Sequence, residues 1–130
     1  MHANLSHTDE MTPLQRLTAL RQGQPVDRLR CVPIVGNTAA RVIGTTVSSL
    51  RTDSKRLAEA TIAAYRRFGY DAVRVFTDLY MQPEAMGAKV RVPVDETAHL
   101  DAPAISTAEQ VGQLVPHDPH RNGPLPLLLD

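Results

Sequence analysis

A strongly patterned helix followed almost at once by a β-rich run constrains this chain more than anything else in it. Between Thr52-Asp53 and Gly69, Leu57, Ala60, Ala64 and Phe68 recur on one face at helical spacing. Thr52 or Asp53 supplies an N-cap, Arg66 and Arg67 suit the negative end of the helix dipole, and Gly69 supplies a left-handed exit. The run Asp71-Ala72-Val73-Arg74-Val75-Phe76 comes next, which is the αβ half of a βαβ unit. Upstream, Leu29-Arg30-Cys31-Val32-Pro33-Ile34-Val35 is an apolar run between Asp27-Arg28 and Gly36-Asn37, as suits a buried strand, although Pro33 removes one ladder donor. Two such strands joined by a crossover helix predict a parallel sheet.

Other segments are punctuated less strongly. Thr12-Pro13-Leu14-Gln15 combines an N-cap threonine, a proline at the first helical position and a glutamine closing a capping box. Leu14, Leu17 and Leu20 then form a narrow apolar stripe that ends near Gly23, so a short amphipathic helix is expected. A second short helix is expected over Thr38 to Val42, ending at Gly44. Lys89-Val90-Arg91-Val92-Pro93-Val94 alternates, with the valines on one face, and predicts a half-exposed strand or hairpin arm. Beyond Asp95 the chain is rich in proline and loop-like, apart from a short helix after Ser106-Thr107-Ala108-Glu109. Leu125-Pro126-Leu127-Leu128-Leu129-Asp130 looks like the opening of a further helix. Residues 1–10 are expected to be a flexible leader and residues 11–130 one domain.

Composition narrows the function classes. The chain is 42% hydrophobic, with 14 basic and 14 acidic residues. No overall field draws it to nucleic acid or to an anionic membrane, so an anionic ligand must be met by local arginines. No stretch approaches spanning length and the N-terminus lacks a signal-peptide pattern, so a cytoplasmic setting is expected. The single cysteine, Cys31, fits a reducing compartment and reads as a buried, inert thiol.

Strand alternation singles out one candidate site. Arg74, Phe76 and Asp78 share one face of the second strand, and Val73 and Val75 share the other. In a (β/α) barrel the valines face the helices and the other three point inward. Asp78 then lies at the carboxyl end, where such folds place their chemistry. A carboxylate there suits ligand N–H groups or a developing cation. The plainer alternatives are a structural Arg74–Asp78 pair or a helix cap for Leu79 onward. His117-Asp118-Pro119-His120 has two prolines, no aligning helix and no cysteine, so no metal site is read into it. His2, His7 and His99 read as solvated, and Gly36-Asn37-Thr38 makes a poor phosphate loop.

The segment Phe76-Thr77-Asp78-Leu79-Tyr80-Met81-Gln82-Pro83-Glu84-Ala85-Met86-Gly87-Ala88-Lys89-Val90 resembles the Phe-Ser-Asp-Ile…Pro-x-Ala-Leu/Met-Gly…Val signature of uroporphyrinogen decarboxylases and their corrinoid-dependent methyltransferase relatives. Thr12-Pro13-Leu14-Gln15-Arg16-Leu17 with Gly23-Gln24-Pro25-Val26-Asp27-Arg28 is similar to the family's opening helix and its Pro-Val-Asp-Arg turn. The likeness runs from Met11 to Asp130. It implies the N-terminal portion of a (β/α)8 barrel, incomplete in this chain, because a complete barrel needs roughly 200 residues or more.

In the decarboxylases the signature aspartate binds pyrrole N–H groups and stabilises a protonated intermediate without a cofactor, and the resemblance passes that role to Asp78. Arg74, Phe76, Tyr80, Asn37 and Arg41 are the accompanying substrate-binding candidates. The decarboxylases also carry Arg-Gln-Ala-Gly-Arg-Tyr after the first strand. Val35-Gly36-Asn37-Thr38-Ala39-Ala40-Arg41 stands there instead, closer to the methyltransferase branch. That branch moves a methyl group between a corrinoid and a zinc-activated thiol, with zinc ligands drawn from the second half of the barrel. The expected partners are a tetrapyrrole or corrinoid-type substrate and a corrinoid protein or complementing barrel half, with oligomers allowed. The isolated chain is expected to be inactive. The competing expectation is a non-catalytic truncated module that associates with a partner chain.

Overall fold

The computed structural model describes residues 9–75, 78–114 and 117–130. Helix α1 spans Pro13–Arg21, α2 Thr38–Val42, α3 Ser54–Phe68 and α4 Met81–Ala85, and strands β1 (Lys89–Arg91) and β2 (His99–Ala102) follow. Single 3-10 turns occupy Ser48–Arg51, Ala108–Gln113 and Leu125–Leu128. No helix among the described residues is long and apolar enough to cross a membrane.

The capping box of α1 forms as expected. Thr12 Oγ1 accepts from the Gln15 amide at 3.3 Å, and Gln15 Oε1 accepts from the Thr12 amide at 2.8 Å. The leucine stripe is a different matter: Leu14 is 72% exposed and Leu20 41%, whereas Arg16 is fully buried. The inward face of α1 meets a cluster of carboxylates instead of an apolar core, and this inverts the usual burial order.

Arg16 bridges Asp27 (Nη2–Oδ2 2.6 Å) and Asp71, whose carboxylate also takes Arg28 (Nη1–Oδ2 2.6 Å) and the Cys31 amide (2.7 Å). Arg28 in turn reaches Asp9 at 2.7 Å. The hydrogen bond from Arg16 holds the Asp27 carboxyl far below its ordinary value. For Asp71, burial pushes the pKa up, but the bonds from Arg28 and Cys31 and the nearby guanidinium charges outweigh it and the net shift is downward. The cluster ties α1, the Asp27-Arg28 turn and the start of the second extended run into one unit.

Helix α3 carries the apolar core. Asp53 caps it by accepting from the Arg56 amide at 3.1 Å, and Gly69 ends it at φ 61°, a left-handed conformation that disfavours any residue with a Cβ. Leu57, Ala60 and Ala64 are buried against Ala39 and Ala40 of α2 and Leu50. The alanines facing each other let the two helices approach closely. Phe68, expected on the same face, is 54% exposed. Leu127, in the C-terminal turn, packs against this cluster. Thr107 and Gln110 form the capping box of the Ala108–Gln113 turn, one residue on from the expected Ser106 and Glu109 pair.

The expected parallel sheet is corrected. Among the described residues the sheet is the antiparallel hairpin of β1 and β2, with Val90 opposite Leu100, Arg91 opposite His99, and a bulge between Lys89 and Val90. The two apolar runs meet through the Asp71 amide, which donates to the Cys31 carbonyl at 2.7 Å. In a parallel ladder the bond returning to Asp71 would come from the amide of residue 33, and Pro33 has none. Cys31, expected to be buried, is exposed.

Candidate functional site

Asp78 begins the turn into α4. Its Oδ1 accepts from the Tyr80 amide at 2.7 Å, a local Asx-type bond that fixes the turn before Met81. Met81 and Ala85 are buried and anchor the helix. Pro83 is tolerated there because amides of the first turn have no helical partner to lose.

The cationic partner of Asp78 is Arg51, from the 3-10 turn ahead of α3. Arg51 Nε lies 2.5 Å from Asp78 Oδ2, and the side chains are 9% and 4% exposed. The same guanidinium forms an ion pair with Glu84 of α4, Nη2 to Oε2 at 2.6 Å, at an angle outside hydrogen-bond geometry. Burial works against the Arg51 charge, but the hydrogen bond to Asp78 and the charge of Glu84 beside it prevail and its pKa is raised.

Asp78 borders a cavity of about 470 Å³ lined also by Ile34, Asn37, Leu79, Tyr80 and His99. No lysine or arginine lines it. A more polar cavity of about 560 Å³ adjoins through Asn37 and contains Arg41, Asp95 and Glu96. The loop of residues 92–98 forms the wall between β1 and β2. It is pinned by Ser48 N to Val94 O at 2.9 Å, Val47 N to Asp95 Oδ1 at 3.3 Å, and Asn37 Nδ2 to Thr97 Oγ1 at 2.9 Å.

Of the residues singled out from sequence, Asp78, Tyr80 and Asn37 meet around the more apolar cavity of about 470 Å³ and Arg41 reaches its neighbour. Asn37 holds the 92–98 loop through its amide. Arg74 is exposed and lines none of these spaces, so the inward position expected for it is not seen. Phe76 lies outside the described residues. Val73 and Val75 do turn toward α3, lining an apolar space with Leu57 and Ile62. Neither Arg51 nor Glu84 was singled out, and the partner proposed for Asp78 was Arg74. Asp78 and Arg51 are 27 positions apart, a distance with no periodic signal.

A carboxylate offers about four acceptor lone pairs. Among the described residues the Tyr80 amide and Arg51 each use one, so two of the four have no partner from these residues. The described residues bring together no group of three or more His, Cys, Asp or Glu able to hold a metal.

Comparison with known proteins places these features in context. The family model described as Uroporphyrinogen decarboxylase (URO-D) matches residues 12–130. A uroporphyrinogen decarboxylase from Erythrobacter litoralis is 37% identical over 57 residues, covering 44% of this chain and 16% of that enzyme. A methyltransferase from Methanosarcina mazei superposes with a TM-score of 0.72 at 24% identity, covering 91% of this chain and 36% of that one. The chain thus spans a minor part of the length of either relative.

Proposed function

The chain belongs to the uroporphyrinogen decarboxylase family, and we propose that it acts on a tetrapyrrole- or corrinoid-type substrate, with Asp78 as the acceptor that binds substrate N–H groups or stabilises positive charge. In this reading the described residues form one wall of a family-type (β/α) barrel pocket, and turnover depends on the remaining walls. The observation that carries it is a nearly buried carboxylate, with acceptor capacity that the described residues do not use, on an otherwise largely apolar cavity.

Within the family we favour methyl transfer over decarboxylation, on the lining that the described residues supply. A polycarboxylate needs several cationic partners. The cavity at Asp78 offers none and the adjoining one only Arg41. In the methyltransferase reading a corrinoid is substrate. Zinc, if present, would activate the thiol, but the described residues supply no ligand set for it, so no step is assigned through it.

Two assays in parallel, run with the remaining barrel walls supplied, test this. Methylcobalamin with a thiol, followed by the visible spectrum, is expected to show demethylation, while uroporphyrinogen is recovered unchanged on product analysis. Decarboxylated products without demethylation would reverse the choice, and neither activity would remove the enzymatic reading. A second reading, a non-catalytic module that associates with a partner chain, rests on the exposed apolar side chains Leu29 (86%), Leu79 (76%) and Ile34 (66%). Absence of both activities together with concentration-dependent association in sedimentation would favour it.

A further inference from the structure

We propose that Arg51 is the positioning residue for the Asp78 carboxylate, fixing it from the side away from the cavity while sharing its charge with Glu84. The inference rests on the assignment of Asp78 to the substrate pocket.

Two fixed points hold Asp78, and a third holds the arginine behind it. The Tyr80 amide holds Oδ1 and Arg51 Nε holds Oδ2. Glu84 pulls on Nη2 of the same guanidinium from one turn into α4. A guanidinium is planar, so the hydrogen bond from Nε to Asp78 and the ion pair at Nη2 with Glu84 together restrain the plane of the group that contacts Asp78. A lysine, with one rotatable point charge, cannot do this.

The location of Arg51 separates positioning from ligand binding. Arg51 and Asp78 both border a void of about 10 Å³ between the Ser48–Arg51 turn and the hairpin, near Leu50, Val92 and Ala98. That volume admits at most about one water. Asp78 alone of the pair also borders the cavity of about 470 Å³. A ligand in that cavity therefore meets Asp78, and Arg51 acts only through it.

Glu84 explains how a carboxylate can be held by arginine without losing its use. A one-to-one pair would cancel the charge presented to a developing cation. Two carboxylates on one guanidinium leave one net negative charge on this wall of the pocket. Arg51 thus gives Asp78 a fixed place, and Glu84 preserves the sign of the potential there.

The test measures kcat and KM of Arg51→Met, Arg51→Lys and Asp78→Asn with the remaining barrel walls supplied, in whichever of the two assays the unaltered protein supports, with thermal midpoints recorded alongside. Because misplacing a catalytic group by about 1 Å can lower a rate about 100-fold, Arg51→Met is expected to lose about 10- to 100-fold in kcat while KM changes little. In Arg51→Ala, whose truncation leaves room for it, added guanidinium ion at concentrations well below denaturing is expected to restore a large part of the lost rate. Arg51→Lys is expected to fall in between with its thermal midpoint kept, and it carries the test if Arg51→Met does not fold. Wild-type kcat in the Arg51 variants overturns the inference, as does a loss that follows the thermal midpoint and is not restored by guanidinium. Asp78→Asn separates the levels: full activity there removes the site assignment itself, whereas an inactive Asp78→Asn beside fully active Arg51 variants removes the role of Arg51 alone.

Discussion

Replacing Asp71 with alanine is expected to lower the thermal midpoint by more than about 10 °C, the largest stability effect of any single change in the chain. The Asp71 side chain is wholly buried and receives Arg16, both terminal nitrogens of Arg28, and the Cys31 amide. Removing one partner of a buried charge cluster strands the others and costs about 3–5 kcal/mol. Domains of this kind hold about 5–15 kcal/mol in all, and 1 kcal/mol moves the midpoint of a chain this size by several degrees. Arg16 is buried in direct contact with Asp71, so the loss in the double variant Arg16→Met/Asp71→Ala is expected to be clearly smaller than the sum of the single losses. Additive losses in calorimetry would show that the two side chains do not act as a unit.

The same cluster gives the fold an acid limit. Asp27 and Asp71 have folded-state values below the ordinary 3.8. A depressed carboxylate contributes its full stability above the unfolded value and loses it as pH falls toward the folded one. Urea midpoints are therefore expected to stay level from neutral pH to about 4 and to drop below that. Asp71→Ala is expected to flatten the drop, and an unchanged acid slope in that variant would place the sensitivity elsewhere.

Local signals account for the parts of this structure that were legible in the sequence. Thr12 and Gln15 meet within one turn, Asp53 and Gly69 mark α3 at its two ends, and the alternation of Lys89 to Val94 announces a hairpin arm, of which Lys89–Arg91 pairs. The shared face of Leu57, Ala60 and Ala64 was legible because α3 packs on an apolar neighbour. The same rule failed for α1. Its inward neighbour is a set of carboxylates from Asp27 and Asp71, 11 and 55 positions away from Arg16, so the leucines stayed outside and the arginine went in. Cys31 misled for a related reason. Its apolar neighbours suggest a core strand, but Pro33 interrupts the ladder that would have covered it. At the cavity, Asp78 had been singled out by alternation and by the signature it sits in, but alternation put Arg74 on the same face, where it is not found. Arg51 was not singled out, because a cationic partner brought in by tertiary structure leaves no trace in spacing, and Arg74, nearer in sequence, took its place in the reading.

Asp78→Asn is expected to reduce turnover at least about 100-fold, the scale on which a single preorganised electrostatic group acts on a transition state. The substitution keeps size and shape. The remaining amide oxygen can still accept from the Tyr80 amide, so the turn into α4 should persist. What changes is the side facing Arg51, where an amide nitrogen now confronts the guanidinium and the acceptor is gone. Arg51 retains Glu84 at 2.6 Å, so the fold loses one charged hydrogen bond, about 1.5–3 kcal/mol, and does not unfold. Turnover and thermal midpoint are therefore expected to part company, with the rate falling by orders of magnitude while the midpoint falls by several degrees. Asp71→Ala is expected to do the reverse at limiting temperature, leaving the surviving folded fraction competent. Measuring both variants below their midpoints separates the two roles, and an Asp78→Asn protein that turns over at the normal rate would leave the carboxylate as a structural anchor for Arg51 and nothing more.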